Sequence, residues 1–223
     1  MIKRCSREYV LNLINENKEW NVLDLGAGSD GWKRADVYAD IEDHSSSYSK
    51  RFVQTLADDT PFEDKEFDFV ATTHIAEHVP DPAKFFAELQ RISHRGYIET
   101  PLPFFCNAAQ GNSNPPPHGH TWWVTFDDDI QKLIFKPRMI IVEEFLVAKD
   151  TTLLIPFFRD SMVTGVYWED TVEFEQRKAI FSYEAGNSDA KKRIDLSNKS
   201  MPKNVKPWAP FWLAKARHIL ENS

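Results

Sequence analysis

Three short stretches hold the residue types that can do chemistry. In "VLDLGAGSDGWKRADVYADIED", Val22 to Asp43, the glycines Gly26, Gly28 and Gly31 spell G-x-G-x-x-G between two apolar runs. Glycines at such a turn let the backbone approach a ligand closely, which signals a nucleotide-like site. In "THIAEHV", Thr73, His74 and Ile75 stand just before Glu77 and His78. In "ETPLPFFCNAAQGNSNPPPHGHTWWVTFDDD", Glu99 is followed by His118, His120, Trp122 and Trp123. Two histidines and two indoles make a plausible wall over an apolar or sugar-like acceptor, with Glu99 meeting it from below. Histidine titrates near neutrality, so it can take a proton from an attacking nucleophile. His-x-His with a distant glutamate also has metal-donor types. Two residues and one guessed partner do not specify such a site, and no metal is expected.

The glycine spelling by itself points to a nicotinamide dinucleotide. That reading needs a full helix after the glycines and an acidic residue about 20 positions on. Here only "WKR" separates Gly31 from the next apolar run, and Asp40 lies fourteen residues after Gly26. A parallel crossover normally takes about a dozen residues, so this connection is abbreviated. A pyrophosphate would find a poor helix terminus. Asp24 and Asp30 also disfavour an anion, and a ligand with hydroxyls and a positive charge suits the loop better.

These residues must be positioned by alternating strands and helices. Ser6 caps a first helix, with Tyr9, Val10, Leu13 and Ile14 at helical spacing. "NVLDLGAG", "ADVYADI", "RFVQTLA", Phe69–Ala71 and "RGYIETP" read as strands. "EHVPDPAKFFAELQRIS" reads as the clearest helix, with Asp81 as N-cap and Pro82 first inside. Phe85, Phe86, Leu89 and Ile92 form its buried stripe, and Phe62 and Phe67 read as core. The order implies an α/β fold with a largely parallel sheet and ligands at the strands' carboxyl ends. Farther on, Thr125 is expected to cap a helix in "FDDDIQKLIF", and "MIIVEEFLVAKD" to form a strand. "TVEFEQRKAIFSYEA" suits a helix or a strand pair. Phe157, Phe158, Tyr167 and Trp168 suit either core or a wall closing the acceptor pocket. Trp208 and Trp212 are expected to anchor a final amphipathic helix. No second-domain linker stands out, so residues 1–223 read as one domain, with 102–223 carrying substrate-side loops.

Composition narrows the classes. The chain has 223 residues, is 42% hydrophobic and 27% charged, and carries a formal net charge of -7. That fits a folded domain and opposes a broad nucleic-acid-binding surface. From Asn187 onward, however, eight Lys or Arg face three Asp or Glu, which makes a solvated basic tail or a docking surface. Cys5 and Cys106 form no CxxC pair. No leader-like start and no 18-residue apolar run is visible, so no membrane partner is expected and a cytoplasmic location is the default.

Taken together, "VLDLGAG", "YADI", "DDTPFEDKEFDFV", "HIAEHVPDPAKFFAELQRI" and "GYIETP", over residues 20–101, resemble a class I S-adenosylmethionine-dependent methyltransferase of the small-molecule type. The resemblance implies a Rossmann-like, three-layer α/β/α fold. Its mostly parallel seven-stranded sheet would have an antiparallel last strand, and the cofactor would be S-adenosyl-L-methionine. It places Gly26, Ala27 and Gly28 beside the methionine moiety, with Asp24 orienting the loop or the amino group and Asp30 at the loop's edge. Asp40 would accept the ribose hydroxyls and Ile41 would pack on adenine. The family's adenine-recognising acid is replaced here by Leu56, so Asp58, next to Ala57, is expected to take that role. Thr73, His74, Ile75 and His78 would approach the cofactor, with Glu77 nearby. Glu99, His118, His120, Trp122 and Trp123 would face the acceptor. His74, His118 and His120 are the candidate bases, needed only if the acceptor must lose a proton. Methyl transfer to an O, N or C nucleophile of a small-molecule or glycan acceptor follows. The alternatives are an NAD-dependent oxidoreductase and a catalytically silent methyltransferase-like interaction module. No base-flipping Asn/Asp-Pro-Pro-Tyr motif occurs, so nucleic acid is not the expected partner.

Overall fold

The computed structural model describes residues 1–103, 119–138 and 162–177. All of them fall in Met1–Lys178, the first of two units into which the chain divides. His118, Phe157, Phe158, Trp208, Trp212, the "MIIVEEFLVAKD" segment and the basic tail lie outside the described residues.

Local signals account for the first elements. Ser6 caps α1 (Arg7–Glu16) by accepting the Tyr9 N–H, and α1 follows β1 (Ile2–Arg4). Apolar runs ending in polar or glycine residues form β2 (Val22–Leu25), β3 (Val37–Asp40), β4 (Arg51–Gln54) and β5 (Phe69–Thr73). Asp81 accepts the Ala83 and Lys84 N–H groups at the start of α2 (Pro82–Ile92), where Pro82 has no donor to lose. Beyond it run β6 (Arg95–Pro101), β7 (Trp122–Asp127), β8 (Lys132–Pro137), β9 (Val163–Glu169) and β10 (Phe174–Gln176).

Seven strands form one sheet in the order β1-β9-β6-β5-β2-β3-β4. Strands β2 to β6 pair in parallel, whereas β9 is antiparallel to both β6 and β1. Side-chain alternation sends successive residues to opposite faces. Val22, Phe69, Ala71, Tyr97 and Tyr167 pack with Val10 and Ile14 of α1. Leu23, Val70, Ile98 and Trp168 pack with Phe85, Phe86, Leu89 and Ile92 of α2. The result is the expected three-layer α/β/α, Rossmann-like arrangement with its antiparallel late strand. Phe62 and Phe67 meet edge to face in the core, and Tyr167 and Trp168 are core as well. The strand at the N-terminal edge was not expected, since three residues carry too little pattern to announce a strand.

One expectation is overturned. "FDDDIQKLIF" is not a helix capped by Thr125; it is the β7–β8 hairpin. Val124, Phe126, Leu133 and Phe135 join the core cluster that holds the α2 stripe, which is the two-residue period of strands, while Ile134 is buried outside that cluster. The aspartates make the turn: Asp127 Oδ1 accepts the N–H groups of Asp129 and Ile130, offering the backbone an alternative to a helix. β10 pairs with β8 in parallel to complete a three-stranded sheet, which packs on the α2 side through Phe86, Phe135 and Phe174. No helix among the described residues is long and apolar enough to cross a membrane.

Candidate functional site

The carboxyl ends of β2, β3, β5 and β6 meet at one edge of the sheet. After Leu25 the chain turns through Gly26 at φ 83° and Gly28 at φ 55°, backbone that side-chain-bearing residues rarely adopt. Gly26 and Ala27 both donate to the Ala39 carbonyl, at 2.7 and 3.1 Å. A Cβ on Gly26 would collide with Ile75, whereas one on Gly28 would meet open space. The turn is therefore closed against the loop after β5 and open outward at Gly28. No helix follows: Gly31 and Trp32 run straight into a short turn at Lys33 and Arg34. Gly31 instead donates to the Tyr48 hydroxyl at 2.8 Å, and that hydroxyl donates back to the Ala27 or Gly28 carbonyl.

Three carboxylates surround the turn. Asp24 is buried; its Oδ2 accepts the Trp32 N–H at 2.6 Å, while Oδ1 is buried without a hydrogen-bond partner. Burial pushes this carboxyl up to about 6, opposed by the Trp32 N–H and the charge of Arg7. Arg7 lies over the Trp32 ring, whose Nε1 donates to Thr73 Oγ1 at 3.2 Å. Asp40 accepts the Gly28 N–H through Oδ2 at 2.8 Å and the Glu42 N–H through Oδ1. Asp30 is exposed at the loop's rim. At the ends of β3 and β4, Ile41 and Leu56 stand 56% and 49% exposed, two apolar side chains on adjacent strand ends. Asp58 pairs with Lys84 at 3.6 Å, and Ala57 packs on the core.

A second cluster forms at the ends of β5 and β6. His74 takes a left-handed φ of 58° and donates its N–H to the Glu99 carbonyl. Its ring lies between two buried carboxylates, with Nδ1 3.4 Å from Glu77 Oε1 and Nε2 3.8 Å from Glu99 Oε1. The Nε2 atoms of His78 and His120 each lie 3.9 Å from that same Glu77 oxygen. The chain before β7 is tied in by Thr121 and Trp122, whose N–H groups both donate to the Glu77 carbonyl. Burial pushes the His120 imidazole down to about 4, so it is neutral at pH 7. Glu99 accepts the Tyr97 hydroxyl, and burial beside that carboxylate pushes the phenol far up. Trp122 turns its indole inward, donating to the Val79 carbonyl at 2.8 Å and packing on Phe135. Trp123 is half-buried.

Residues 23–98 match the profile of the family described as methyltransferase domain. Over these residues the chain resembles a methyltransferase domain. Its matched stretch runs from β2 into β6 and holds the glycine turn, Asp40 and the His74–His78 loop; His120 lies beyond it. Among solved structures, the chain resembles the YcgJ protein of Bacillus subtilis at 23% identity, covering 43% of this chain and 52% of that one, with a TM-score of 0.36. It resembles an Aquifex aeolicus SAM-dependent methyltransferase at 15% identity over 72% and 87% of the two chains, TM-score 0.39. The chain thus spans about half the length of the first of these. No curated protein matches.

The fold brings Asp24, Gly26, Ala27, Gly28, Asp40, Thr73, His74, Ile75 and His78 to the same sheet edge as Glu99 and His120. The orphaned Oδ1 of Asp24 fits the ammonium group of an amino-acid-like cofactor, and the Asp40 carboxylate has the acceptor capacity a ribose diol needs. Sequence reasoning underweighted Glu77, named only as a neighbour, and missed Arg7, Trp32 and Tyr48. Only an acidic residue placed one turn after His74 and beside His78 hinted at Glu77; Arg7 and Tyr48 left no signal, being remote in sequence from the turn they touch.

Proposed function

We propose that the chain transfers the methyl group of S-adenosylmethionine to an O, N or C nucleophile of a small-molecule or glycan acceptor. The observation that carries this reading is the Asp24 oxygen, buried and without a partner beneath a glycine turn at positive φ. A cationic, hydroxyl-bearing ligand suits that arrangement, and the helix a pyrophosphate would want is missing. When bound, the cofactor supplies an activated methyl group and its own leaving group.

The chain's residues would supply alignment and proton handling. Asp24 and Arg7 would meet the amino and carboxylate ends of the methionine moiety, and Asp40 the ribose. Ile41 and Leu56 would flank the adenine, with Ala57 and Asp58 at its edge and Asp30 at the rim. Thr73, Ile75 and His78 would border the methyl group. Glu99, His118, His120 and Trp123 would face the acceptor, contributed by the 102–223 half apart from Glu99, whereas Trp122, expected there as well, packs into the core. His74, His118 or His120 would take a proton where the nucleophile is an O–H or N–H.

Calorimetric titration with S-adenosylmethionine, S-adenosylhomocysteine and NAD tests the reading. One S-adenosylhomocysteine site per chain, lost in Gly26→Ala, is the expected result. Binding of NAD in its place would overturn it. Alanine variants of His74, His118 and His120 that keep cofactor affinity and lose turnover identify the base; unchanged turnover in all three sinks that role.

A further inference from the structure

We propose that Glu77, His78 and His120 bind a divalent first-row transition cation beside the acceptor, with His74 lining its open side. The absence of metal was expected from His118, His120 and Glu99; the fold assembles a different set. One ligand atom from each of Glu77, His78 and His120 lies within 4.8 Å of the others.

Three independent features point to a cation there. Glu77 is 0% exposed, and neither of its carboxylate oxygens has a hydrogen-bond partner. A buried carboxylate is retained when it is paired, hydrogen-bonded or bound to metal. His78 places Nδ1 3.2 Å from the Gly119 carbonyl oxygen, which requires an N–H on that nitrogen. Its Nε2 then turns a lone pair toward Glu77, 3.9 Å away, an arrangement that is repulsive until a cation or a second proton lies between. A metal-bound histidine that donates its other nitrogen to a backbone carbonyl has this orientation. Finally, His120 is brought to Glu77 by backbone hydrogen bonds from Thr121 and Trp122, and its ring meets that of His78 edge to face at 4.6 Å.

The donor set decides the metal class. Two imidazoles and one carboxylate suit zinc, cobalt, iron or manganese, whereas magnesium and calcium prefer oxygen. Zinc bonds of about 2.0–2.2 Å place tetrahedral ligands roughly 3.3–3.6 Å apart, so the two 3.9 Å separations and the third, within 4.8 Å, close with side-chain shifts of up to about an ångström. Three protein ligands leave a position for an acceptor oxygen, whose O–H a Lewis acid makes easier to deprotonate. That role rests on the methyl-transfer reading and selects an oxygen nucleophile: its proton passes to His74, the O–CH3 bond forms and the C–S bond breaks. The cation site itself does not depend on that reading.

The test uses the full chain without a histidine tag, stripped by a chelator. Co2+ and Zn2+ are added, followed by d–d absorption and calorimetry; S-adenosylhomocysteine is titrated separately. One Co2+ per chain with a four- or five-coordinate spectrum is expected, with affinity falling at least 100-fold in Glu77→Gln and in His120→Ala. The wild-type spectrum decides the matter even if a variant fails to fold. No stoichiometric Co2+ or Zn2+ binding, or tighter binding of Mg2+, overturns the site, as does unchanged affinity in both variants. Metal binding without S-adenosylhomocysteine binding keeps the cation site and removes the methyltransferase reading; the reverse result does the opposite.

Discussion

On the proposed reading, Asp24 is the buried residue at which ligand binding, protonation and stability meet. Its carboxyl is pushed up to about 6 in the folded chain, from 3.8 without that environment. The sign follows: the proton-bound form is favoured by folding between pH 4 and 6, and that contribution is lost as pH rises through 6. A ligand ammonium needs the ionised form. Cofactor affinity should therefore fall below pH 6, approaching tenfold per unit, and Asp24→Asn should weaken binding at pH 7 while flattening that dependence. Calorimetry between pH 5 and 8 reads both. The same substitution should leave stability at pH 7 unchanged or higher, since the burial of a charge is relieved.

At the scale of elements, α2 is held by its cap and by one ion-pair network. Asp81→Ala removes the acceptor for the Ala83 and Lys84 N–H groups and should cost about 1 kcal/mol in denaturant unfolding. On the helix's last turns, Glu88 accepts from Arg91 and from Thr60 N and Oγ1, and Arg91 reaches on to Phe62 O and Asp64. Burial alone would raise Glu88, but Arg91 and Thr60 outweigh it and hold the carboxyl down to about 2. The folded value lies below the usual 4.5, so this stability is present above pH 4.5 and is lost as pH falls toward 2. Acid unfolding of Glu88→Gln should show a shallower loss across that window than the parent chain does.

Across the whole molecule, the sheet is finished by a strand from the other end of the described chain. β1 covers β9 in register from Ile2 opposite Trp168 to Arg4 opposite Val166, and Cys5 donates to the Gly165 carbonyl. Ile2 is buried in the core on the α2 side. Ile2→Ala should cost about 2 kcal/mol and speed amide exchange in β9. Cofactor affinity should hold, because the glycine turn sits on β2, with β6 and β5 between it and β9. Coupled loss of both would show that the edge and the centre open as one unit.

The sequence by itself determined what depends on near neighbours. Ser6, Asp81 and Pro82 mark helix starts because capping acts within a few residues; Gly26 and Gly28 mark the turn because only backbone freedom is needed. The short reach from Gly31 to Asp40 leaves no room for the helix that a dinucleotide site wants after its glycines. The tertiary structure decided the rest. The aspartates after Phe126 suit a helix start and an Asx turn equally, and burial of alternate residues against α2 chose the hairpin. Glu77 and His120 lie forty-three residues apart, with no local pattern linking them. They meet because Thr121 and Trp122 bond to the Glu77 carbonyl, a contact written in the packing of two sheets rather than in any stretch of chain.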